Sequence, residues 1–429
     1  MDVSVNRHAL DRVPLSIIFD DSTMLVNLNY FFLRDAVSLP VAQAPFISSW
    51  KAQVGNGGAV RWEDVPVVHP ESFTREFARF CLDHGVRGKF SVVPCPAALG
   101  RIDEGLDLFS QGQQESWLQM CREMIMPNFD ITPEMMTHTF VVDLEALQPV
   151  DVGLWEQWGW NHLPTDQPEL VTDYIALACE ILHNVGLTPT GVTSPGGFGS
   201  PLEFYAACAK EAVHRVTGNP TPFFFKRGSD EGPVPTPVWY ADRDAGTAMG
   251  EIFSSTDDRT GSWTGYGEVD ADHYITADLR RGRMADCIDA GEPAVMISHW
   301  QGFYGMHDDD RAGFDAFKTV VGRLEERDPR GEYCRWRKCS EITNYACAAE
   351  LCELSVEGGT IRLDLPVRVP EFTLRITDTE VRSVSVDGRL LTEASTRTAF
   401  GPETFLCEDG VTFVAFDPAQ RAVVVTVEV

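Results

Sequence analysis

Residues 15–21 read Leu-Ser-Ile-Ile-Phe-Asp-Asp. Leu15–Asp20 has no polar–apolar alternation, so it reads as a strand buried on both faces, the kind a parallel sheet covered by helices requires. Two adjacent carboxylates then stand at its carboxyl end, where parallel α/β folds collect their reactive groups.

Working outward, the same texture repeats. After an insertion at about 22–70, which carries the Gly-rich stretch VGNGGAV, Phe73, Phe77 and Phe80 recur at helical spacing and Gly85 closes the helix. Lys89–Pro94 reads as the second strand, Glu115–Met126 as a helix, and Met135–Val142 as a third strand. Gln167–Val185 is the cleanest amphipathic helix, with Val171, Tyr174, Ile175, Ala178, Ile181, Leu182 and Val185 on one face. Strand Pro189–Ser194, helix Pro201–Val216, strands Phe223–Lys226, Ala248–Phe253 and Ala294–Ser298, and a helix near Arg311–Leu324 follow. Strand–helix alternation at this spacing predicts parallel strands with right-handed crossovers. About seven units predict an α/β fold closed into a distorted, TIM-like (β/α)7 barrel over residues 1–345, with insertions at about 22–70 and 148–166.

After Ala349 the pattern changes to period-two strands separated by GG, DG and DP turns. This predicts an antiparallel β-sandwich over 346–429. It contains no histidine, and no low-complexity linker precedes it, so it is expected to pack tightly on the barrel as a module without chemistry of its own.

The 429 residues suffice for two to three domains, and 44% hydrophobic with 23% charged is a globular composition. Lys+Arg 35 against Asp+Glu 64 gives a net charge of −29, with no basic run to meet a phosphate backbone or an anionic bilayer. Nucleic-acid and membrane partners are therefore excluded. A carbohydrate, a neutral or cationic small molecule, or a protein, including another copy of this chain, remains. Neither a leader nor a membrane anchor is legible, and eleven cysteines without small-domain spacing suit reduced thiols in a cytoplasm. Cys334, Cys339, Cys347 and Cys352 are spaced too widely for zinc knuckles and read as buried thiols.

The polar residues that follow apolar strands are Asp20 and Asp21, His138, the turn Ser194-Pro195-Gly196-Gly197, and His299. Adjacent carboxylates repel unless something positive compensates. A divalent metal would take one and leave the other basic enough to accept a proton from water. The bland alternative is an exposed Asx turn. His138 suits a first-row metal through its neutral imidazole, or a core histidine bonded to a carbonyl. His299, followed by Trp300 and Gln301, is placed to protonate a leaving amine, with Trp300 as a sugar platform, or is structural. The Pro195–Gly196 turn joins strand to helix or lets backbone approach a ligand. The stretch 153–166, GLWEQWGWNHLPTD, holds three tryptophans and His162, as a stacking surface or a hydrophobic plug.

The order of these pieces resembles the polysaccharide deacetylase family, metal-dependent carbohydrate esterases on a distorted (β/α)7 barrel. Ile18-Phe19-Asp20-Asp21 resembles the family's T-F-D-D strand end, and GVRGKFSVVP at 85–94 its next strand. His138-Thr139-Phe140-Val141-Val142 resembles the H-[ST]-x-x-H metal motif. Thr193-Ser194-Pro195-Gly196-Gly197 resembles the R-P-P-Y-G turn, and Ile297-Ser298-His299 the closing L-x-H strand. The resemblance covers about residues 14–325. It implies Asp20 as general base, Asp21 and His138 as metal ligands, His299 as general acid, and zinc as the first choice of metal. The chain departs from the family at two places. Val142 stands where the family has its second metal histidine, for which Asp143 or, preferentially, His162 would substitute. Thr193 stands where the family has the arginine that orients the base. The implied activity is hydrolysis of an N-acetyl or related amide on a carbohydrate-like or small substrate by a divergent member. Two alternatives remain: a glycoside hydrolase pairing Asp20 with Glu134 or Asp143, and a carbohydrate-binding protein without catalysis.

Overall fold

The computed structural model describes residues 1–36, 39, 63, 65–228, 232–265, 267–304 and 311–429; the Gly-rich stretch at 54–60 lies outside them. Strand β1 is Asp2–Val5, and β2, Val13–Asp20, is the buried strand that residues 15–21 predict. Next come β3 Gly88–Val92, β4 Phe129–Pro133, β5 Gly191–Thr193, β6 Phe223–Gly228 and β7 Val238–Asp242. Then follow β8 Thr247–Ser254, β9 Ala294–His299 and β10 Cys334–Trp336.

These strands form two sheets. In the first, β9 pairs with β2 in parallel along Leu15–Asp20, while β10 and β3 share the other edge of β2, at Val13–Leu15 and Ile17–Phe19. Strand β4 continues in parallel from β3. In the second sheet β5, β6 and β8 run parallel and β7 lies antiparallel on β8. The expected closed barrel is thus not one continuous hydrogen-bonded sheet. The sheets meet at isolated parallel bridges, Ile131–Pro189 and Glu134–Thr193, and around Ser255, whose N–H donates to the Val295 carbonyl at 2.7 Å and whose hydroxyl accepts from the Val295 N–H at 3.0 Å. Proline explains the first seam: Pro133, Pro189 and Pro195 donate no N–H around the three-residue β5, so the ladder cannot extend there.

The helices lie where the periodicity puts them. Helix Glu71–Asp83 buries Phe73, Phe77 and Cys81, and helix Pro168–Asn184 buries Val171, Tyr174, Ile175, Ala178, Ile181 and Leu182. Phe19, one residue before the paired aspartates, stacks on Phe77 at 4.6 Å and Phe90 at 5.6 Å, with Trp300 edge-on at 5.4 Å. Each such ring contributes roughly 1.5–3 kcal/mol by leaving water, so the strand end that carries the aspartates rests on a rigid aromatic core.

The third strand falls earlier than expected. It is Phe129–Pro133, and 135–142 is irregular, with Met135 (φ 48) and His138 (φ 61) in the left-handed region. Pro133 ends the ladder, and the chain curls over the strand end instead of continuing it.

The C-terminal part contains two five-stranded sheets. One is β11 Glu353–Glu357, β12 Thr360–Asp364, β19 Ala422–Glu428, β14 Ser383–Val386 and β15 Arg389–Leu390, in that spatial order. The other is β1, β13 Phe372–Thr377, β18 Val411–Phe416, β17 Thr404–Glu408 and β16 Thr392–Glu393. Pairing is antiparallel except between β16 and β17, and Ile361, Val425, Leu374 and Val414 from both sheets share one core. Two details differ from the sequence expectation. Strand β1 belongs to this region although it precedes strands β2–β10. Helix Cys339–Leu351, which contains the expected boundary, buries Cys339 and Ile342 against Phe223 and Val295 but Tyr345, Ala348 and Leu351 in the C-terminal core.

Candidate active site

Asp20 is the last residue of β2, and Asp21 follows it with φ 61. This left-handed turn sends the two side chains in different directions. Asp20 forms an ion pair with Lys89 of β3, both side chains almost wholly buried. Lys89 also donates to Thr193 Oγ1 at 2.7 Å, which lies 2.8 Å from Thr132 Oγ1, and its ammonium sits over the Phe225 ring at 5.3 Å. The resemblance leads one to expect an arginine at position 193; here the cation beside Asp20 is Lys89 on β3, and Thr193 holds that lysine. Burial raises the Asp20 carboxyl, Lys89 pulls it back, and Glu134 adds to the rise; the balance is about 6.

Asp21 turns toward Glu134 and His138. His138 Nε2 lies 2.8 Å from Asp21 Oδ1 and 3.3 Å from Glu134 Oε1, and all three residues are buried. Glu134 is fixed by the Asp21 N–H at 2.9 Å and the Ser91 hydroxyl at 2.5 Å. Burial opposes its charge, but His138, Lys89 and Ser91 overcome this and hold its carboxyl low. Burial likewise opposes a charged His138, and the two carboxylates beside it raise it well above the usual histidine range.

The Trp-rich insertion builds the back of this cluster. Glu156, wholly buried, accepts from the backbone N–H groups of Met136 (3.1 Å), Thr137 (3.0 Å) and His138 (2.7 Å) and from the Tyr174 hydroxyl (2.5 Å). Four donors to one carboxylate explain how His138 keeps its left-handed backbone. Gln157 places its side-chain amide 2.8 Å from His138 Nδ1 and fixes the ring. Gly197 leaves no room for a Cβ, which would meet Asn161 at 2.1 Å, so the turn after β5 packs directly on the insertion.

On the far side, His299 at the end of β9 bonds through Nδ1 to Asp258 at 2.7 Å. Burial disfavours the imidazolium, but the Asp258 hydrogen bond and the charges of Asp21, Asp258 and Asp20 prevail and raise His299 to about 9. Asp20, Asp21, Glu134, His138, Gln157 and His299 all line one cavity of about 380 Å³. Leu28, Phe32, Phe225 and Trp263 form apolar parts of its wall, and Lys226 adds a cation.

Of the residues singled out in the sequence, Asp20, Asp21, His138, His299 and Gly196 line this cavity. Three do not. His162 is exposed and bridges to Ser200, so Glu134, the residue following β4, stands beside Asp21 and His138 in its place. Trp300 is 4% exposed and packs on Phe19, Phe73 and Phe90, so it is core and not a sugar platform. Pro195 is absent from the lining, although its neighbours Ser194 and Gly196 belong to it. Asp143 is exposed and caps the turn at Glu145 and Ala146, which leaves the two-carboxylate alternative without that partner. The four late cysteines are free thiols, and among the described residues Asp21, Glu134 and His138 form the one group suited to a metal. No helix of the described residues is long and apolar enough to cross a membrane. The sequence reading passed over Lys89 and Asp258. A lysine opening an apolar strand was the available signal, because a fully buried lysine needs a partner.

No family model matches the chain, and no curated protein does. Among solved structures, it is similar to a proposed polysaccharide deacetylase from Mycobacterium smegmatis at 13% identity, covering 82% of this chain and 99% of that one, with a TM-score of 0.41. A second, from Pseudomonas aeruginosa PAO1, shares 10% identity over 78% of this chain and 90% of that one, TM-score 0.41. A Thermotoga maritima α-fucosidase shares 8% identity over 97% and 96% of the two chains, TM-score 0.33. Likenesses this distant do not bear on the chemistry, which rests on the residues themselves.

Proposed function

We propose that the chain is a metal-dependent hydrolase, a divergent relative of the polysaccharide deacetylases, that cleaves an N-acetyl or related amide bond. The observation that carries this is the convergence of three separately prepared groups on one cavity: Asp20 with Lys89, Asp21 with Glu134 and His138, and His299 with Asp258.

The donor set fits a divalent cation. One imidazole nitrogen and two carboxylates offer ligand atoms within 4.8 Å of one another, all buried. Two carboxylates and one imidazole suit zinc or a first-row neighbour. A bound cation would polarise the scissile carbonyl and make water more acidic. Asp20, held by Lys89 and titrating at about 6, is ionised at neutral pH and accepts the proton of the attacking water. His299, at about 9, is protonated at the same pH and delivers its proton to the departing nitrogen. Environments that push two titratable groups apart in this way define a base and an acid at one pH. A cavity of about 380 Å³ favours a small amide or sugar derivative over an extended polymer. Ten of the eleven free thiols are buried or half-buried, which suits the reducing cytoplasm in which we place the reaction.

The test is metal analysis of the purified protein followed by turnover of small N-acetyl sugars and amides, before and after chelation, with Asp20→Asn as control. Release of acetate that chelation stops, zinc restores and Asp20→Asn removes is the expected result. Turnover indifferent to chelation, or unchanged in Asp20→Asn, overturns the reading.

A further inference from the structure

Lys226 is the only lysine or arginine among the described residues lining the cavity. It is half-buried at the end region of β6, and its Nζ donates to two backbone carbonyls of the turn after β5, Gly197 at 2.9 Å and Phe198. Among the described residues no carboxylate lies within ion-pair distance of it. Burial and the neighbouring Arg227 weaken its hold on the proton, with Glu251 opposing them, and bring it down to about 8. Its charge is thus desolvated with no paired counter-ion among the described residues, an arrangement that costs stability unless an anion completes it. Two described cations close to it but outside the lining are already engaged: Lys89 by Asp20, and Arg227 by Glu251 at 2.6 Å.

We infer that Lys226 is an anion subsite and that the substrate is a small amide carrying a carboxylate. An ammonium has three donors, and two are spent on Gly197 and Phe198. The remaining one suits a single oxygen of a monoanion, whereas a phosphate dianion calls for several donors at once. Leu28, Phe32, Phe225 and Trp263 complete the wall, so the body of the substrate is apolar or a ring. The acidic cluster of Asp20, Asp21 and Glu134 repels an anion placed beside it, so Lys226 also fixes which end of the substrate enters first. This specificity rests on the amide-hydrolase reading, but the subsite itself does not.

The experiment compares N-acetyl-phenylalanine with its neutral analogue N-acetyl-phenylalaninamide, in calorimetric binding to the protein as purified and in turnover by the zinc-loaded protein. Phenyl phosphate serves as the phosphate arm of the binding series. Lys226→Gln, which keeps two N–H donors for the turn carbonyls, is the test variant, and its unfolding midpoint checks the fold. Lys226→Arg, which keeps the charge, is the second variant. The acid is expected to bind about tenfold tighter than the amide. The preference should vanish in Lys226→Gln and persist in Lys226→Arg. Equal binding of acid and amide, no binding of either, tighter binding of phenyl phosphate, or a preference that survives Lys226→Gln overturns the subsite. A charge-dependent preference in binding without any turnover keeps the subsite and overturns the hydrolase reading instead.

Discussion

Replacing Lys89 by methionine removes the cation from a pair whose side chains are 0% and 5% exposed. In the intact protein Asp20 titrates at about 6, so roughly 90% of it is ionised at pH 7. A contact pair at about 3 Å and an effective dielectric of about 20 interacts by roughly 5 kcal/mol, which corresponds to nearly four pK units. Losing only half of that lifts Asp20 to about 8, where roughly a tenth is ionised at pH 7. Ionisation alone then lowers kcat/KM about tenfold, and loss of the held orientation brings the decrease toward a hundredfold. Because Asp20 can take up a proton in place of its lost partner, the stability cost stays near 1–3 kcal/mol, below the ~3–5 typical of a stranded buried charge. The assay is steady-state kinetics of the zinc-loaded Lys89→Met, Asp20→Asn and double variants, with urea unfolding in parallel. If Lys89 acts through Asp20, the double variant is no slower than Asp20→Asn. A Lys89→Met protein with undiminished kcat/KM, or a double variant slower than Asp20→Asn by the whole Lys89→Met factor, refutes the reasoning.

Glu134→Gln should lower zinc content and affinity by about 10- to 100-fold or more, while His162→Ala leaves both unchanged; metal analysis after dialysis reads this. His299 is raised to about 9, so its proton is available below that pH and activity should fall as pH climbs through it. Asp258→Asn removes the ring's hydrogen-bonded anion, and the alkaline limb of the kcat/KM profile should move to lower pH; a limb that stays near 9 contradicts the assignment of His299 as the acid. Glu156→Ala leaves three backbone N–H groups near His138 without an acceptor. At about 1–3 kcal/mol for an unsatisfied buried donor, unfolding in urea should show a loss of roughly 3 kcal/mol or more.

The sequence carried the parts of this molecule that depend on periodicity. Residues 15–20 lie in a strand because the short, β-branched and aromatic run Ile17-Ile18-Phe19 suits a buried strand, and the helices over Phe73–Phe77 and Val171–Leu182 follow from one-sided spacing. Asp20, Asp21 and His299 were legible because they follow apolar strands directly, and strand ends define the cleft. Met135–Val142 misled for the opposite reason. Its apolar residues satisfy a strand pattern, but Glu156, from the insertion that follows, gathers the backbone N–H groups that a strand would have used. Local pattern cannot register a hydrogen-bond acceptor arriving from elsewhere in the chain. Trp300 shows the same limit: aromatic character beside His299 suggested a platform, and only packing against Phe19 identifies it as core. Lys89 and Thr193 act together on Asp20 from different strands, a link that appears only when both strands stand beside it.

Strand β1 pairs from Asp2–Thr377 to Val5–Leu374, beside strands encoded hundreds of positions downstream. During synthesis residues 2–5 leave the ribosome long before their partners exist, and strands β2–β10 can assemble while β1 still hangs as an unmatched edge. Such distant pairing makes completion of the C-terminal sheets a slow, late event. A nascent or truncated chain lacking residues 372–377 would therefore present that edge to chaperones, or to its neighbours, even where strands β2–β10 have already found one another.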